Sequence, residues 1–261
     1  MRIVVCVKHV PDLQSTRGFT AERRVIRSAD DGTMNEVDEN AVEAALGLVA
    51  AAGDGEHEII ALTLGPDVAA DAVRRALQMG ADRGIRITDD ALAGADYFGT
   101  ATALAAAIRR IGDVDVVLTG MAALDGLGAV VPSLLAAALD LPQLTVVQEL
   151  TYAGGALTAR RELDGVTETL RASLPAVVAV TDLANTPRFP KFKDIMAARA
   201  KEIEVLSAAD LGLADAASTA RTEVVLAEPR PPRPEPEIVT DSDSGAGGRA
   251  LADYLISNNL I

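Results

Sequence analysis

One segment of the sequence combines glycines and a helix start in a way that could bind an anion. Residues 119–132 read Thr-Gly-Met-Ala-Ala-Leu-Asp-Gly-Leu-Gly-Ala-Val-Val-Pro and follow an apolar run typical of a buried strand. Gly126 and Gly128 would let the backbone approach a phosphate, and the N–H groups at a helix start favour negative charge. The segment lacks the third glycine of a dinucleotide fingerprint and the later acidic residue. The residues alone therefore leave both a packing turn and a nucleotide site open.

Two other segments carry residue types that could bind or dock. In residues 34–40, Asn35 suits a helix N-cap and Asp38 could return a capping-box hydrogen bond, which favours a structural interpretation. Residues 188–193, here called the basic loop, form a positive stretch in an acidic protein and contain Phe189 and Phe192. The plainer interpretation of the basic loop is a solvated surface loop, and the alternative is an aromatic docking anchor.

The sequence has no recognisable catalytic or metal-binding pattern. His9 and His57 are its only histidines, and no carboxylates or cysteines accompany them at metal-ligand spacing. A Gly-x-Ser-x-Gly elbow, a Cys–His arrangement and a phosphate-loop lysine motif are also missing. We therefore expect a carrier or binding protein rather than an enzyme, with no catalytic residue and no metal site.

Composition narrows the class of protein further. The chain has 261 residues, 49% of them apolar, which is enough for one substantial core. A formal charge of −14 argues against nucleic acid, whose phosphates need a basic surface. The single cysteine, Cys6, fits a reducing compartment, and no apolar run approaches the roughly 20 residues of a membrane span. We therefore expect a cytoplasmic protein that is not embedded in a membrane.

Apolar runs alternate with helical patterns along the first 140 residues. The patterns predict strands over 3–7, 59–64, 84–88 and 114–119, and helices over 41–52, 68–79, 100–111 and 128–139. This alternation predicts a Rossmann-like α/β fold, with a mostly parallel sheet and helices on both of its faces.

The remaining third of the chain predicts a hairpin and an arm. Residues 159–173 form two alternating runs around Asp164-Gly165, which is typical of a β-hairpin, and a buried strand follows Pro175. Five of the twelve prolines lie in residues 229–236 and predict a stiff linker, and residues 250–256 predict an amphipathic helix. We therefore expect a nucleotide-binding α/β domain over 1–228 and an extended C-terminal arm over 229–261 that packs on another chain.

The residues of the hairpin are distinctive. Residues 161–165, 168–171 and 174–178, which read Arg-Glu-Leu-Asp-Gly, Glu-Thr-Leu-Arg and Leu-Pro-Ala-Val-Val, resemble the signature of the electron transfer flavoprotein beta subunit. Residues 7–12, 76–83 and 185–190 are similar to the same FixA-like family, in the same order along the chain. The resemblance covers nearly the whole chain and implies an adenine nucleotide alpha hydrolase-like fold.

The resemblance also implies a function. A beta subunit of this family forms a heterodimer with an alpha subunit that holds most of the redox FAD. The beta subunit caps that flavin and in many members binds a structural AMP, while a second FAD occupies the same cavity in the bifurcating branch. Electrons would pass from dehydrogenases, commonly acyl-CoA dehydrogenases, toward a membrane quinone oxidoreductase. The C-terminal helix would pack on the alpha subunit.

Residue roles follow from the resemblance position by position. Leu13 falls near the edge of the flavin ring, Glu162 matches an acidic residue linked to partner electron transfer, and Phe192 replaces a leucine anchor for dehydrogenases. Phe189, Lys191 and Lys193 accompany Phe192 in docking. The nucleotide-contact positions are Cys6, Asn35, Glu36, Val37, Asp38, Leu64, Ala123, Leu124, Asp125, Gly126, Leu127, Gly128, Ala129, Val130 and Val131.

One departure from the family bears on the cofactor. The bifurcating branch reads Asp-Thr-Ala-Gln-Val-Gly-Pro where this chain has residues 127–133, Leu-Gly-Ala-Val-Val-Pro-Ser. The side-chain oxygens that would hold phosphates are lost, so we expect AMP rather than a second FAD, with an empty cavity as the alternative. The rival functions are an ATP pyrophosphatase-like enzyme, whose Ser-Gly-Gly-x-Asp-Ser loop is replaced here by residues 8–12, and a stand-alone adenine-nucleotide-binding protein.

Overall fold

A computed structural model describes residues 1–15, 17–213, 220–236, 238–239 and 245–261. The strands are β1 (Arg2–Cys6), β2 (His9–Pro11), β3 (Gly32–Met34), β4 (Glu58–Leu64), β5 (Arg83–Ile87), β6 (Val116–Gly120), β7 (Gln143–Val147), β8 (Glu149–Ala153), β9 (Ala156–Leu163), β10 (Val166–Ser173), β11 (Ala176–Val180) and β12 (Ile203–Leu206). The α-helices are α1 (Glu36–Ala52), α2 (Ala70–Met79), α3 (Tyr97–Ile111), α4 (Val131–Leu139), α5 (Phe192–Ala200) and α6 (Ala246–Ser257).

The main sheet has seven strands in the order β12-β5-β4-β1-β6-β11-β7, and each of these neighbouring pairs is parallel. The chain builds outward from β1 in one direction through β4 and β5, and then crosses to the other side of β1 with β6. This reversal of strand order opens a crevice at the carboxyl ends of β1 and β6, where open α/β sheets bind ligands.

Helices cover both faces of this sheet, as the sequence predicted. Ile3 and Val5 of β1 belong to the core on the side of α1 and α2, while Val4 belongs to the core on the side of α3 and α4. These three side chains have no exposed surface. A central parallel strand is buried on both faces, which explains why β1 reads as a continuous apolar run.

The predicted hairpin is also present. Strands β9 and β10 pair with Leu163 opposite Val166, and Asp164 and Gly165 between them have φ values of 51° and 76°. Two left-handed residues are what a type I′ turn requires. The hairpin joins β8 in a three-stranded antiparallel sheet, and Arg161 ties it to the main sheet by donating from Nη1 to the Thr145 carbonyl at 3.2 Å.

Six elements were not predicted from the sequence: β2, β3, β7, β8, α5 and β12. The helix predicted over 128–139 is present but begins at Val131. Its start is delayed because Leu127 and Ala129 have φ values of 49° and 51°, which a right-handed helix cannot include.

The chain divides into two compact units, Met1–Ala227 and Glu228–Ile261. In the second unit α6 begins four residues before the predicted helix, and none of its residues is buried. Leu251, Tyr254 and Ile256 are each more than half exposed. None of the helices in the described part of the chain has the length and apolar character needed to cross a membrane.

Candidate functional site

The crevice is formed where β1 and β6 end side by side. Cys6 of β1 pairs in register with Thr119 of β6, and residues 121–130, here called the glycine loop, follow immediately. The Thr119 hydroxyl is buried and has no hydrogen-bond partner among the described residues. Burial, together with the charge of Asp38, raises the pKa of the Cys6 thiol to about 12, so this thiol is neutral at physiological pH.

Asp38 joins the three backbone segments that line the crevice. Its carboxylate accepts hydrogen bonds from the Lys8 N–H at 2.8 Å, the Gly120 N–H at 3.2 Å and Asn35 Nδ2 at 2.8 Å. A Cβ on Gly120 would lie 2.4 Å from Asp38 Oδ1, so the close approach requires glycine. Burial raises the pKa of Asp38 to about 7, and the three donated hydrogen bonds oppose that shift.

The predicted capping box is wrong. Asn35 stands at the N-cap of α1, but its side chain makes no capping bond, and its N–H donates to the Lys8 carbonyl at 2.8 Å. Asn35 Oδ1 instead accepts from the Leu124 N–H at 3.0 Å, and Nδ2 also donates to the Ala122 carbonyl at 3.1 Å. Asn35 and Asp38 are both buried. Asn35 holds the glycine loop, and Asp38 holds Gly120, the residue just before it. Between them, Glu36 is exposed and Val37 is half-buried.

Asp125 attracts an excess of positive charge to the glycine loop. Its side chain is 2% exposed and pairs with Lys8 Nζ at 2.8 Å and with the Arg27 guanidinium. Arg17 Nη2 donates to the Leu124 carbonyl at 3.0 Å. Burial alone would raise the pKa of Asp125, but Lys8 and Arg27 outweigh burial and lower it. Two cations therefore pair with one carboxylate and a third binds the backbone beside it, in a chain whose net charge is −14.

The backbone of the glycine loop is strained at residues other than its glycines. Leu127 and Ala129 adopt left-handed φ values of 49° and 51°, a conformation that costs about 1–2 kcal/mol for residues with a Cβ. Left-handed residues beside right-handed ones turn successive N–H groups into an anion-binding nest. Gly128 serves another purpose, because a Cβ there would lie 2.3 Å from the Tyr97 hydroxyl.

These features fit an anionic ligand of the nucleotide class. Such a ligand could satisfy the unpaired Thr119 hydroxyl, and the cations around Asp125 would offset its phosphate charge. Leu64, at the end of β4, is partly buried, and Leu13, in the loop after β2, is 52% exposed. The exposed members of the glycine loop are Gly126, Leu127, Ala129 and Val130, whereas Ala123, Leu124, Asp125, Gly128 and Val131 are partly buried.

Sequence reasoning missed several residues of this crevice. Lys8, Arg17 and Arg27 come from the region after β1, about 100 residues before Asp125, so no local spacing connects them with the glycine loop. Tyr97 is the first residue of α3 and packs on Gly128, but no motif in the sequence links it with the glycine loop. Within the described residues, no group of three or more His, Cys, Asp or Glu side chains is arranged to hold a metal ion.

The basic loop presents aromatic side chains to solvent. Phe189 is 90% exposed and Phe192 is 78% exposed, and Lys191 and Lys193 are exposed beside them. Phe192 is the first residue of α5, so the last part of the basic loop is helical rather than irregular. Glu162 is exposed on a different element, the strand β9 of the antiparallel sheet.

Comparison with known proteins assigns a family to this arrangement. Residues 23–211 match the electron transfer flavoprotein domain. The electron transfer flavoprotein subunit beta of Mycobacterium tuberculosis is 41% identical over 269 residues, which cover 99% of each chain. The caffeyl-CoA reductase-Etf complex subunit CarD of Acetobacterium woodii is 31% identical over all of both chains, and the protein FixA of Azorhizobium caulinodans is 36% identical over 82% of this chain and 78% of its own.

The matches extend from the β1 region through the hairpin to the arm, and they include the segments on which the sequence resemblance rested. An identity of 41% over the full length is far above the level at which only the fold is shared. The chain belongs to the electron transfer flavoprotein family, among its beta subunits and FixA-like proteins.

Proposed function

We propose that this chain caps the FAD of an alpha subunit and binds a structural AMP in the crevice between β1 and β6. The observation that carries the AMP proposal is the glycine loop, which contains two left-handed residues, contacts three cations and follows the strand that carries the unpaired buried Thr119 hydroxyl. A beta subunit works with an alpha subunit, so the functional unit of this proposal is the heterodimer.

The glycine loop favours AMP over a second FAD. Residues 127–131 read Leu-Gly-Ala-Val-Val and offer no side-chain oxygen, so a phosphate there depends on backbone N–H groups and on the nearby cations. Asn35 would keep the loop in place through its hydrogen bond to Leu124, and Asp38 would fix Gly120 just before the loop. Both side chains are buried.

The redox chemistry of the heterodimer would be supplied by FAD when it is bound. The role proposed for this chain is to cover the flavin and exclude water, and Leu13 is an exposed apolar side chain available for that cover. We propose that the heterodimer carries electrons from dehydrogenases, of the acyl-CoA dehydrogenase class, toward a membrane quinone oxidoreductase, as a carrier rather than as an enzyme. A cytoplasmic location is part of the same proposal.

Docking is assigned to the basic loop, and subunit assembly to the arm over residues 229–261. The aromatic rings of Phe189 and Phe192 are exposed far beyond what folding of this chain requires, and lysines flank them. Exposed aromatic side chains surrounded by charge are typical of interaction hot spots. The exposed apolar face of α6 supports a partner for the arm in the same way.

The nucleotide content of the purified heterodimer tests this proposal. Denaturation releases bound nucleotides, and mass spectrometry with a quantitative standard counts them. We expect one FAD and one AMP for each heterodimer. Two FAD for each heterodimer would place this chain in the bifurcating branch and refute the AMP assignment, and one FAD without AMP would show that the crevice is empty. Either result would contradict the proposal.

A further inference from the structure

The exposed part of the basic loop is held by hydrogen bonds rather than by apolar packing. A cavity of about 510 Å³ separates the loop residues Phe189 and Lys191 from Leu46 of α1 and Met79 of α2. Neither Phe189 nor Phe192 is buried against the chain. Apolar packing anchors the chain only at Ala184, before the loop, and at Ala198 of α5, after it. The position of the exposed part between them therefore depends on the hydrogen bonds at the base of the loop.

Two sets of side-chain hydrogen bonds from α1, here called clasps, hold the base of the loop: Glu43 with Arg188, and Asn40 with Asn185. Glu43 accepts from Arg188 Nε and Nη2, both at 2.8 Å, and from the Arg188 N–H at 3.2 Å. Asn40 and Asn185 bond reciprocally, because each Nδ2 donates to the backbone carbonyl of the other residue at 2.9 Å. The first clasp fixes both the side chain and the backbone of Arg188, three residues before Lys191.

The Glu43–Arg188 clasp has the geometry of the stronger class of ion pair. Isolated surface pairs contribute little to stability unless the guanidinium binds the carboxylate through two nitrogens. Glu43 has a side chain that is only 17% exposed, and its two oxygens receive two parallel donors. The Arg188 hydrogen bonds lower the pKa of Glu43, so the pair stays charged well below neutral pH.

We propose that Glu43 and Asn40 are positioning residues that hold the basic loop in the conformation needed for docking to a dehydrogenase. The inference rests on the docking role proposed for Phe192. A loop that is already ordered loses less conformational entropy when it binds, so the clasps would strengthen docking without touching the partner.

Tryptic cleavage of the heterodimer, with no dehydrogenase present, measures how readily the basic loop opens. Trypsin cuts after Lys191 and Lys193 once the loop opens locally. Glu43→Gln keeps the shape but removes the charge of the clasp, and we expect cleavage about three- to tenfold faster. Arg188→Lys keeps the positive charge but cannot bind the Glu43 carboxylate through two nitrogens, so this variant should also be cleaved faster. Glu39→Gln is the matched control, because it removes the charge of another α1 carboxylate whose partner is Arg75 of α2, at 2.7 Å, rather than Arg188.

Steady-state kinetics then links loop order to docking. A medium-chain acyl-CoA dehydrogenase, reduced by its acyl-CoA, serves as the probe that reduces the FAD of the heterodimer. For Glu43→Gln we expect the KM for the heterodimer to rise about three- to tenfold with kcat unchanged. The Glu39→Gln control should retain both constants. Phe192→Ala, with FAD still bound, should raise KM more than tenfold, because a buried aromatic ring is worth about 2 kcal/mol or more.

The outcomes separate this inference from the docking role on which it rests. An unchanged KM in Phe192→Ala would refute the docking role and the inference together. A raised KM in Phe192→Ala with an unchanged KM in Glu43→Gln would refute only the positioning role. Equal cleavage rates for Glu43→Gln and the wild type would also refute it, since the clasp would then not hold the loop.

Discussion

Asp38 should make the stability of this protein fall as pH rises toward neutrality. Its carboxyl group is buried, and its pKa is raised from 3.8 to about 7 in the folded chain. The folded state therefore keeps a proton that the unfolded state has lost between these two pH values. Stability from this group is fully present below pH 3.8 and is lost as pH rises through 7, which is opposite in sign to an ordinary paired carboxylate.

The size of the effect follows from the shift. About three pH units correspond to about 4 kcal/mol in total, with a maximum slope of about 1.4 kcal/mol per pH unit. Between pH 5 and pH 8, the wild type should lose about 3 kcal/mol from Asp38. Asp38→Asn cannot titrate, so its free energy of unfolding should lack this slope. We expect the variant to be less stable at low pH, because the amide offers only one acceptor oxygen to the three donors.

Urea unfolding followed by circular dichroism is a suitable assay, because the chain has no tryptophan for fluorescence. The difference between wild type and Asp38→Asn isolates the contribution of Asp38. Burial lowers the pKa of His9, and the resulting opposite slope below pH 6.5 is common to both proteins. Parallel pH profiles would refute the reasoning, since the three hydrogen bonds from Lys8, Gly120 and Asn35 would then outweigh burial.

Two further substitutions test the crevice and the arm. Gly128→Ala places a Cβ against the neighbouring tyrosine hydroxyl, so we expect a loss of about 1–2 kcal/mol of stability and a reduced AMP content, measured by thermal unfolding and by mass spectrometry. Gly126→Ala, whose Cβ would lie at an ordinary 3.9 Å, is the control, and equal effects would contradict this explanation. Replacing both Leu251 and Tyr254 by Ala should weaken heterodimer affinity about a hundredfold in ultracentrifugation, whereas Asp253→Asn on the same helix should not.

The parts of the fold that sequence predicted are those with strong periodic burial. Strand β1 is apolar from Ile3 to Cys6 because both of its faces are covered there, and the Asp164-Gly165 turn has residues that accept positive φ. Strand β7 shows no regular pattern of apolar residues. Val146 has a φ of 58°, and the pairing of β7 with β11 shifts register between Val178 and Val180, which breaks the alternation of a regular strand.

Helix α5 was missed for a different reason. Only Ala198 of its nine residues is buried, so the helix has no apolar stripe for a pattern to reveal. The crevice at the ends of β1 and β6 was predicted only in part. The glycine loop was visible as a local segment, but Lys8 and Arg27 meet Asp125 only after the sheet has formed. Long-range charge pairing of this kind leaves no spacing in the sequence.

The N-cap and first turns of helix α1 contact two regions to which we have assigned roles. Asn35 binds the glycine loop and Asp38 binds Gly120 just before it, while Asn40 and Glu43 bind the segment that leads to the basic loop. From Asn35 to Glu43 the helix rises only about 12 Å. One stretch of rigid backbone therefore links the crevice proposed for AMP to the segment that leads to the proposed docking loop. A displacement of α1 would move both regions together.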